Sequence, residues 1–205
     1  MPARHAGLMP HANARSPYMS ADILIVGGGM AGLTLGCALG QAGVSVALVE
    51  PTPPERLVAP EYDGRTTAIA AGSRAILETI GVWPELAAEA QPILDIRVSD
   101  GRSPLFLHYD HREVGDQPLG HIVENRFIRG ALFETLEALS GVSFLAGRRV
   151  ERLDREAPVV RAFLNDGCVI ETRLAVATDG RNSPTREAAG IRSTAWTYAQ
   201  TGMVC

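Results

Sequence analysis

The sequence predicts an α/β protein built on a largely parallel sheet. Three observations carry that expectation. A glycine-patterned strand–turn–helix–strand runs from Ile23 to Glu50, a second apolar strand at Leu174 to Ala177 ends in Thr178-Asp179-Gly180, and an amphipathic helix lies between them. The 205 residues suffice for one substantial core, and the net charge of −4 gives no basic excess that would suggest a nucleic-acid partner.

The first unit opens with the apolar run Ile23 to Val26, bounded by Asp22 and three glycines, which reads as a buried strand. Gly27, Gly29 and Gly32 give the pattern G-x-G-x-x-G. Gly27 permits the tight turn, Gly29 lets backbone approach a pyrophosphate, and Gly32 lets the helix pack closely. Met30 and Ala31 stand at the start of that helix, expected over Ala31 to Ala42 with Gly43 as its stop. A second strand, Ser45 to Val49, delivers Glu50, an acidic residue placed to accept hydrogen bonds from a ribose diol. Residues 23 to 49 carry no charge, but glycines throughout fit the punctuated unit better than a membrane span. The fingerprint serves NAD and FAD alike, so the residues alone leave that choice open.

The leader, residues 1 to 20, is polar and lacks the apolar centre of a secretory signal, so it reads as disordered. Restarting at Met19-Ser20 would place a start directly before the first strand. The connection 51 to 62 holds four prolines and is expected on the surface. Ser73 then reads as an N-cap, followed by a helix with Ile76, Leu77 and Ile80 inward and Gly81 closing it; Val82-Trp83-Pro84 opens another short helix to about Ala90. From Ile93 the period becomes two, turning at Asp100-Gly101 and returning over Leu105 to Tyr109, as an inserted half-exposed hairpin. His108, Asp110, His111 and Glu113 cluster there without metal-ligand spacing, and no metal is expected. Cys37, Cys168 and Cys205 lie far apart, and Cys37 is read as core packing.

Ile122-Val123 is a short strand, and Arg126 to Ser140 is the amphipathic helix, with Ile128, Leu132, Leu136 and Leu139 on its buried stripe. Strands are expected at Val142 to Leu145, near Val150, at Val159 to Leu164, at Cys168 to Glu171 and at Leu174 to Ala177, with Asn165-Asp166-Gly167 as a hairpin turn. Asp179 and Gly180 follow the last strand, where open α/β sheets bind ligands, and Ser183-Pro184 reads as a helix start. A plain strand–turn–helix connection explains the same residues equally well.

Gly27-x-Gly29-x-x-Gly32 through Glu50, Asp63-x-Arg65-x-x-Ala68, and Asp179-Gly180-x-x-Ser183-x-x-Arg186 together resemble the amino-terminal half of the group A FAD-dependent monooxygenases, the para-hydroxybenzoate hydroxylase type. Within that family, Asp63 to Ala70, Gly81-Val82-Trp83, Val123 to Arg126 and Tyr198-Ala199-Gln200 are most similar to the ubiquinone-biosynthesis hydroxylases. The resemblance covers about residues 20 to 205. It implies a Rossmann-like FAD/NAD(P)-binding fold with an inserted antiparallel β segment on the substrate side. It further implies Glu50 on the adenosine ribose, the Gly27–Gly32 turn on the diphosphate, Arg65 near diphosphate and ribose, Asn125 or Arg129 close to the cofactor, and Asp179 with Gly180 near the flavin. No catalytic residue is assigned.

The chemistry implied is oxidoreductase chemistry: reduction of FAD by NAD(P)H, capture of O₂, and hydroxylation of a lipophilic polyprenyl phenol. The expected division is a leader at 1–20, an FAD-binding βαβ unit at 21–92, the inserted hairpin at 93–122, a return with a β meander at 123–190, and the start of a substrate domain at 191–205. The family's later Gly-Asp motif is absent. The expectation is therefore an amino-terminal part that does not complete the reaction alone and leaves Leu94, Ile96, Leu105 and Leu107 exposed. Localisation is expected to be cytoplasmic, peripheral on the inner membrane face or within a multi-enzyme ubiquinone complex. The rivals are another FAD-dependent hydroxylase or halogenase-like enzyme with a soluble substrate, and a non-catalytic nucleotide-binding fragment or subunit.

Overall fold

The computed structural model describes residues 17–57, 64–101, 103–156 and 158–202. The expected leader up to residue 16, Asp63 and Cys205 lie outside the described residues. The chain starts with β1 (Tyr18–Val26), α1 (Met30–Gln41), β2 (Val46–Glu50) and the short α2 (Pro54–Leu57). Then come β3 (Thr66–Ala70), α3 (Ala71–Thr79), α4 (Trp83–Leu86), β4 (Gln91–Ile93), β5 (Asp95–Ser99) and β6 (Phe106–Asp110). The last third holds β7 (Gly120–Glu124), α5 (Asn125–Glu137), β8 (Val142–Ala146), β9 (Val150–Glu156), β10 (Val159–Leu164), β11 (Val169–Ala177) and α6 (Pro184–Ala188).

The main sheet has the order β8-β2-β1-β11-β10-β9. Its β8, β2, β1 and β11 pair in parallel, whereas β11, β10 and β9 form an antiparallel meander. Two expected strands, Cys168 to Glu171 and Leu174 to Ala177, are one continuous β11. Its first half pairs with β10, and its whole length runs beside β1, from Tyr18↔Val169 to Val26↔Ala177. That pairing explains why β1 begins at Tyr18 rather than Ile23: the long partner strand extends the ladder, and Tyr18 Oη donates to Glu171 Oε2 at 2.6 Å. Tyr18, Met19 and Ser20 are therefore strand and not leader.

Alternation divides the core in two. Ile25 and Leu48 face the side covered by α1 and α5, where they join Leu33, Cys37, Leu132 and Leu136. Leu24, Val26, Ala47 and Val49 face the other side with Ala162, Leu164 and Ile170 of the meander. Helix α1 approaches its neighbours on its small residues: a Cβ at Gly36 would meet Leu136 at 2.8 Å, and one at Gly40 would meet Val142 at 2.5 Å. Cys37 is fully buried here, and burial pushes its thiol up to about 11. Gly43, with φ +77°, ends α1: its N–H bonds to Gly40 and that of Val44 to Leu39, the Schellman pattern.

Helix α3 begins at Ala71 with Ala70 as its N-cap, so Ser73 is inside the helix and does not cap it. The strand preceding it ends directly in the helix, which leaves no loop for a capping serine. Ile76 is 56% exposed rather than inward, because α3 packs through Leu77, which is 7% exposed. Helix α4 is shorter than expected. Strands β3, β7 and β4 make a second antiparallel sheet, and β5 and β6 a separate hairpin. One face of that hairpin carries the cross-strand pairs Ile96↔Tyr109 and Val98↔Leu107, all exposed, as are Leu94 and Leu105.

Candidate functional site

The carboxyl ends of β1, β2 and β11 converge on the glycine turn between β1 and α1. Gly27 has φ +110°, a region only glycine enters freely, and an added Cβ would lie 2.5 Å from the Thr178 carbonyl oxygen. Gly32 is equally committed, since its Cβ would fall 1.9 Å from the Gly27 carbonyl oxygen. Gly29 differs: nothing lies within 4 Å of the Cβ it could carry. Two of the fingerprint glycines thus serve internal packing, and the middle one faces open space.

Gly29 is also the N-cap of α1, and no side chain caps that end of the helix or places an acidic group in its first turn. The first amides of α1, beginning with Met30 and Ala31, are left as donors, with the positive end of the helix dipole behind them. An anionic diphosphate fits such an end by charge and by hydrogen bonding.

Glu50 is 8% exposed, and both carboxylate oxygens are engaged. Oε2 accepts from Gly28 N–H at 2.7 Å and Oε1 from Thr52 N–H at 2.7 Å. A carboxylate offers about four acceptor sites, so capacity for ribose hydroxyls remains. Gly28, outside the fingerprint, is required here: its Cβ would meet that of Glu50 at 2.8 Å.

Thr178 clamps the turn from β11. Its backbone N–H donates to Val26 at 2.8 Å, and its hydroxyl lies 2.7 Å from the Gly27 carbonyl and 3.0 Å from that of Val26. Asp179 follows immediately, and both its oxygens are used within its own turn. Oδ1 accepts from the Ser183 hydroxyl and Oδ2 from Thr185 N–H at 3.0 Å, while Ser183 Oγ accepts from Arg186 N–H at 3.0 Å. Burial works to raise the Asp179 carboxyl, but these hydrogen bonds outweigh it and hold it below the ordinary carboxylate range. The structure places Asp179 as the clasp of the strand–turn–helix connection. Gly180, with φ +88°, turns the chain there.

Arg65 and Asn125 meet across the second sheet: Asn125 N–H donates to the Arg65 carbonyl at 3.0 Å, and Asn125 Oδ1 accepts from the Thr67 hydroxyl at 2.6 Å. Arg129, one turn further along α5, donates through Nε to the Leu57 carbonyl at 2.9 Å, tying α5 to the segment after β2.

Two clefts flank the amino end of α1. The smaller, about 490 Å³, lies between Met30, Ala31, Thr67, Ile69, Leu77 and Ile128. The larger, about 900 Å³, is lined by Ala31, Ala177, Thr178, Asp179, Gly180 and Arg186, among others. Of the expected residues, the turn with Glu50 and the pair Asp179 and Gly180 therefore lie at the amino end of α1; Arg65 and Asn125 connect to it only through Thr67, and Arg129 is engaged with the segment after β2. Sequence inspection missed Gly28, Thr52, Thr67 and Thr178. For Gly28 the signal was the unbroken glycine triplet; for Thr178 it was a hydroxyl directly before Asp-Gly.

The family model described as "FAD binding domain" matches residues 20–203. Ubiquinone hydroxylase UbiL of Rhodospirillum rubrum is 49% identical over 184 residues, covering 90% of this chain and 43% of that protein. The 3-demethoxyubiquinol 3-hydroxylase of Escherichia coli is 34% identical over 185 residues, covering 89% and 47%. Among solved structures, p-nitrophenol 4-monooxygenase PnpA of Pseudomonas putida superposes with a TM-score of 0.71 at 24% identity, covering 84% of this chain and 44% of that one. The chain thus spans less than half the length of these curated relatives.

Proposed function

The chain belongs to the FAD binding domain family, and on that premise we propose that it serves an FAD-dependent hydroxylation of a polyprenyl phenol in ubiquinone biosynthesis. The observation that carries dinucleotide binding is the uncapped amino end of α1, opened by Gly29 and flanked by the Gly28-bound Glu50 carboxylate, and the choice of FAD over NAD rests on the matching FAD binding domain family. The turn Gly27 to Gly32, with the first amides of α1, would hold the diphosphate, and Glu50 the adenosine ribose. Arg65, Asn125 and Arg129 would line the path of the cofactor from the second sheet, and Asp179 with Gly180 the β11 side.

Bound FAD supplies the redox chemistry, by which phenol, O₂, NAD(P)H and a proton become the hydroxylated ring, water and NAD(P)⁺. The protein's own contribution is to bind, orient and shield. Thr178 and Glu50 hold the turn in place before any ligand arrives, so little ordering cost falls on binding. The proposed division of the chain is the βαβ unit at 21–92, the inserted hairpin at 93–122, and a return to the cofactor-binding unit at 123–190.

A polyprenyl phenol partitions into lipid, so the reading extends to work at the cytoplasmic face of the inner membrane. Among the described residues no helix is long and apolar enough to cross a membrane. The test is incubation of this chain, joined to the remaining length that its relatives have, with NAD(P)H, ¹⁸O₂ and either a polyprenyl phenol or a short soluble phenol. Label entering the polyprenyl ring supports the reading; label entering the soluble phenol alone overturns the substrate assignment.

A further inference from the structure

Asn125 is an amide whose two ends are treated differently. The residue is 7% exposed, its backbone N–H is taken by Arg65, and its Oδ1 by the Thr67 hydroxyl. Among the described residues, no acceptor takes a hydrogen bond from Nδ2. The sealed-off, unsatisfied side-chain atoms among the described residues are His121 Nδ1 and Arg186 Nε, and Nδ2 is not one of them. Nδ2 is therefore an unengaged donor that keeps some surface exposure on an otherwise buried residue. Buried amides rarely leave such a donor idle.

The partner that fixes this arrangement is Thr67. It sits on β3 opposite Val123 of β7, two residues before Asn125. It also lines the smaller cleft together with Met30 and Ala31, the first residues of α1. One hydroxyl thus joins the cleft beside the dinucleotide turn to the first residue of α5. With the Thr67 hydroxyl donating to Oδ1, Nδ2 lies on the side of the amide away from Thr67.

We propose that Thr67 is a positioning residue for the cofactor: its hydroxyl holds the Asn125 amide so that Nδ2 is presented as a donor to an acceptor on the bound dinucleotide. This rests on the FAD reading above. Valine at position 67 keeps the shape and the strand propensity and removes only the hydroxyl. Serine keeps the hydroxyl and removes a methyl group.

The test is a double-mutant cycle on FAD affinity, read by quenching of flavin fluorescence, with thermal melts of the cofactor-free proteins alongside. Thr67→Val is expected to weaken FAD about fivefold, the loss of one neutral hydrogen bond's contribution. Thr67→Ser should stay within about twofold of the unsubstituted chain, and Thr67→Val should cause no further loss when added to Asn125→Ala. Losses that multiply in the double variant, a serine variant as weak as the valine one, or lowered melting with unchanged affinity would each overturn the proposal. An unsubstituted chain that binds no FAD would instead overturn the FAD reading on which it stands.

Discussion

The Gly28 amide lies 2.7 Å from Glu50 Oε2, so the acidic residue closing β2 is bound to the glycine turn across the end of the parallel sheet. The other oxygen holds Thr52 at the same distance. Glu50 is thus a structural acceptor for two backbone donors in addition to its proposed place on the ribose. Glu50→Ala should lower the stability of the cofactor-free protein by about 1–3 kcal/mol, because a buried N–H loses its acceptor. The same change should weaken FAD by about 1.5–3 kcal/mol, as for a hydrogen bond to a charged group. Urea unfolding and FAD titration of one preparation separate the two effects. Intact stability with weakened FAD would show that the Gly28 bond contributes nothing to the fold.

The fingerprint glycines should divide by function. At Gly32 an added methyl meets backbone 1.9 Å away, and α1 must shift to relieve it. Gly32→Ala should destabilise the cofactor-free protein by about 1–3 kcal/mol, the usual cost of overpacking. At Gly29 the methyl enters open space, so Gly29→Ala should leave unfolding within about 1 kcal/mol of the parent. It should weaken FAD at least about tenfold if the diphosphate occupies that space. Melting curves and FAD titrations of both variants check the contrast, which fails if Gly29→Ala binds FAD normally.

His121 on β7 packs edge-on against Trp83 at 5.0 Å, with the Arg74 guanidinium over the other ring and Nδ1 buried without a partner. Burial pushes its pKa below the usual 6.5, the Arg74 charge adds to this, and Glu78 opposes it. The unfolded chain then binds a proton more readily than the folded one. Stability from this residue is full above pH 6.5 and is lost as pH falls below that value toward the folded pKa. His121→Phe should flatten the slope of unfolding free energy as pH falls below 6.5, with Trp83 fluorescence as the probe. An unchanged slope would assign the pH dependence elsewhere.

Asp179 titrates in the other direction. Its lowered carboxyl contributes stability above the ordinary carboxylate pKa, and that contribution is lost as pH falls through its folded value. Asp179→Ala should cost about 1 kcal/mol, as loss of a helix-end acceptor does. Its effect should vanish at a pH low enough to protonate the parent. Urea titrations at neutral and acid pH check this, and an equal loss at both would show that the charge is irrelevant to the clasp.

Much of this arrangement was legible in the residues. Gly27, Gly29, Gly32 and Glu50 are constrained by local backbone geometry, and the amphipathic stripe of α5 by a period of 3.6, so both are written within a few residues of each other. Three features were not legible. The continuity of β11 depends on β1 supplying a partner along its full length, a contact between residues about 150 positions apart. The N-cap of α3 was misplaced at Ser73 because β3 passes straight into the helix, and a capping preference cannot reveal a missing loop. Thr67 and Thr178 carry hydroxyls whose value lies wholly in tertiary partners, Asn125 and Gly27, and no spacing rule marks them.

The most direct test of the central claim is the identity of the dinucleotide that the purified chain retains or takes up. After equilibration with a mixture of FAD and NAD and removal of free ligand, the protein is denatured by heat and the released cofactor is separated chromatographically. FAD in the released fraction, and little NAD, is the result expected from the FAD binding domain match together with the Gly29-opened helix end and Asp179 beside it. Recovery of NAD without flavin would contradict it.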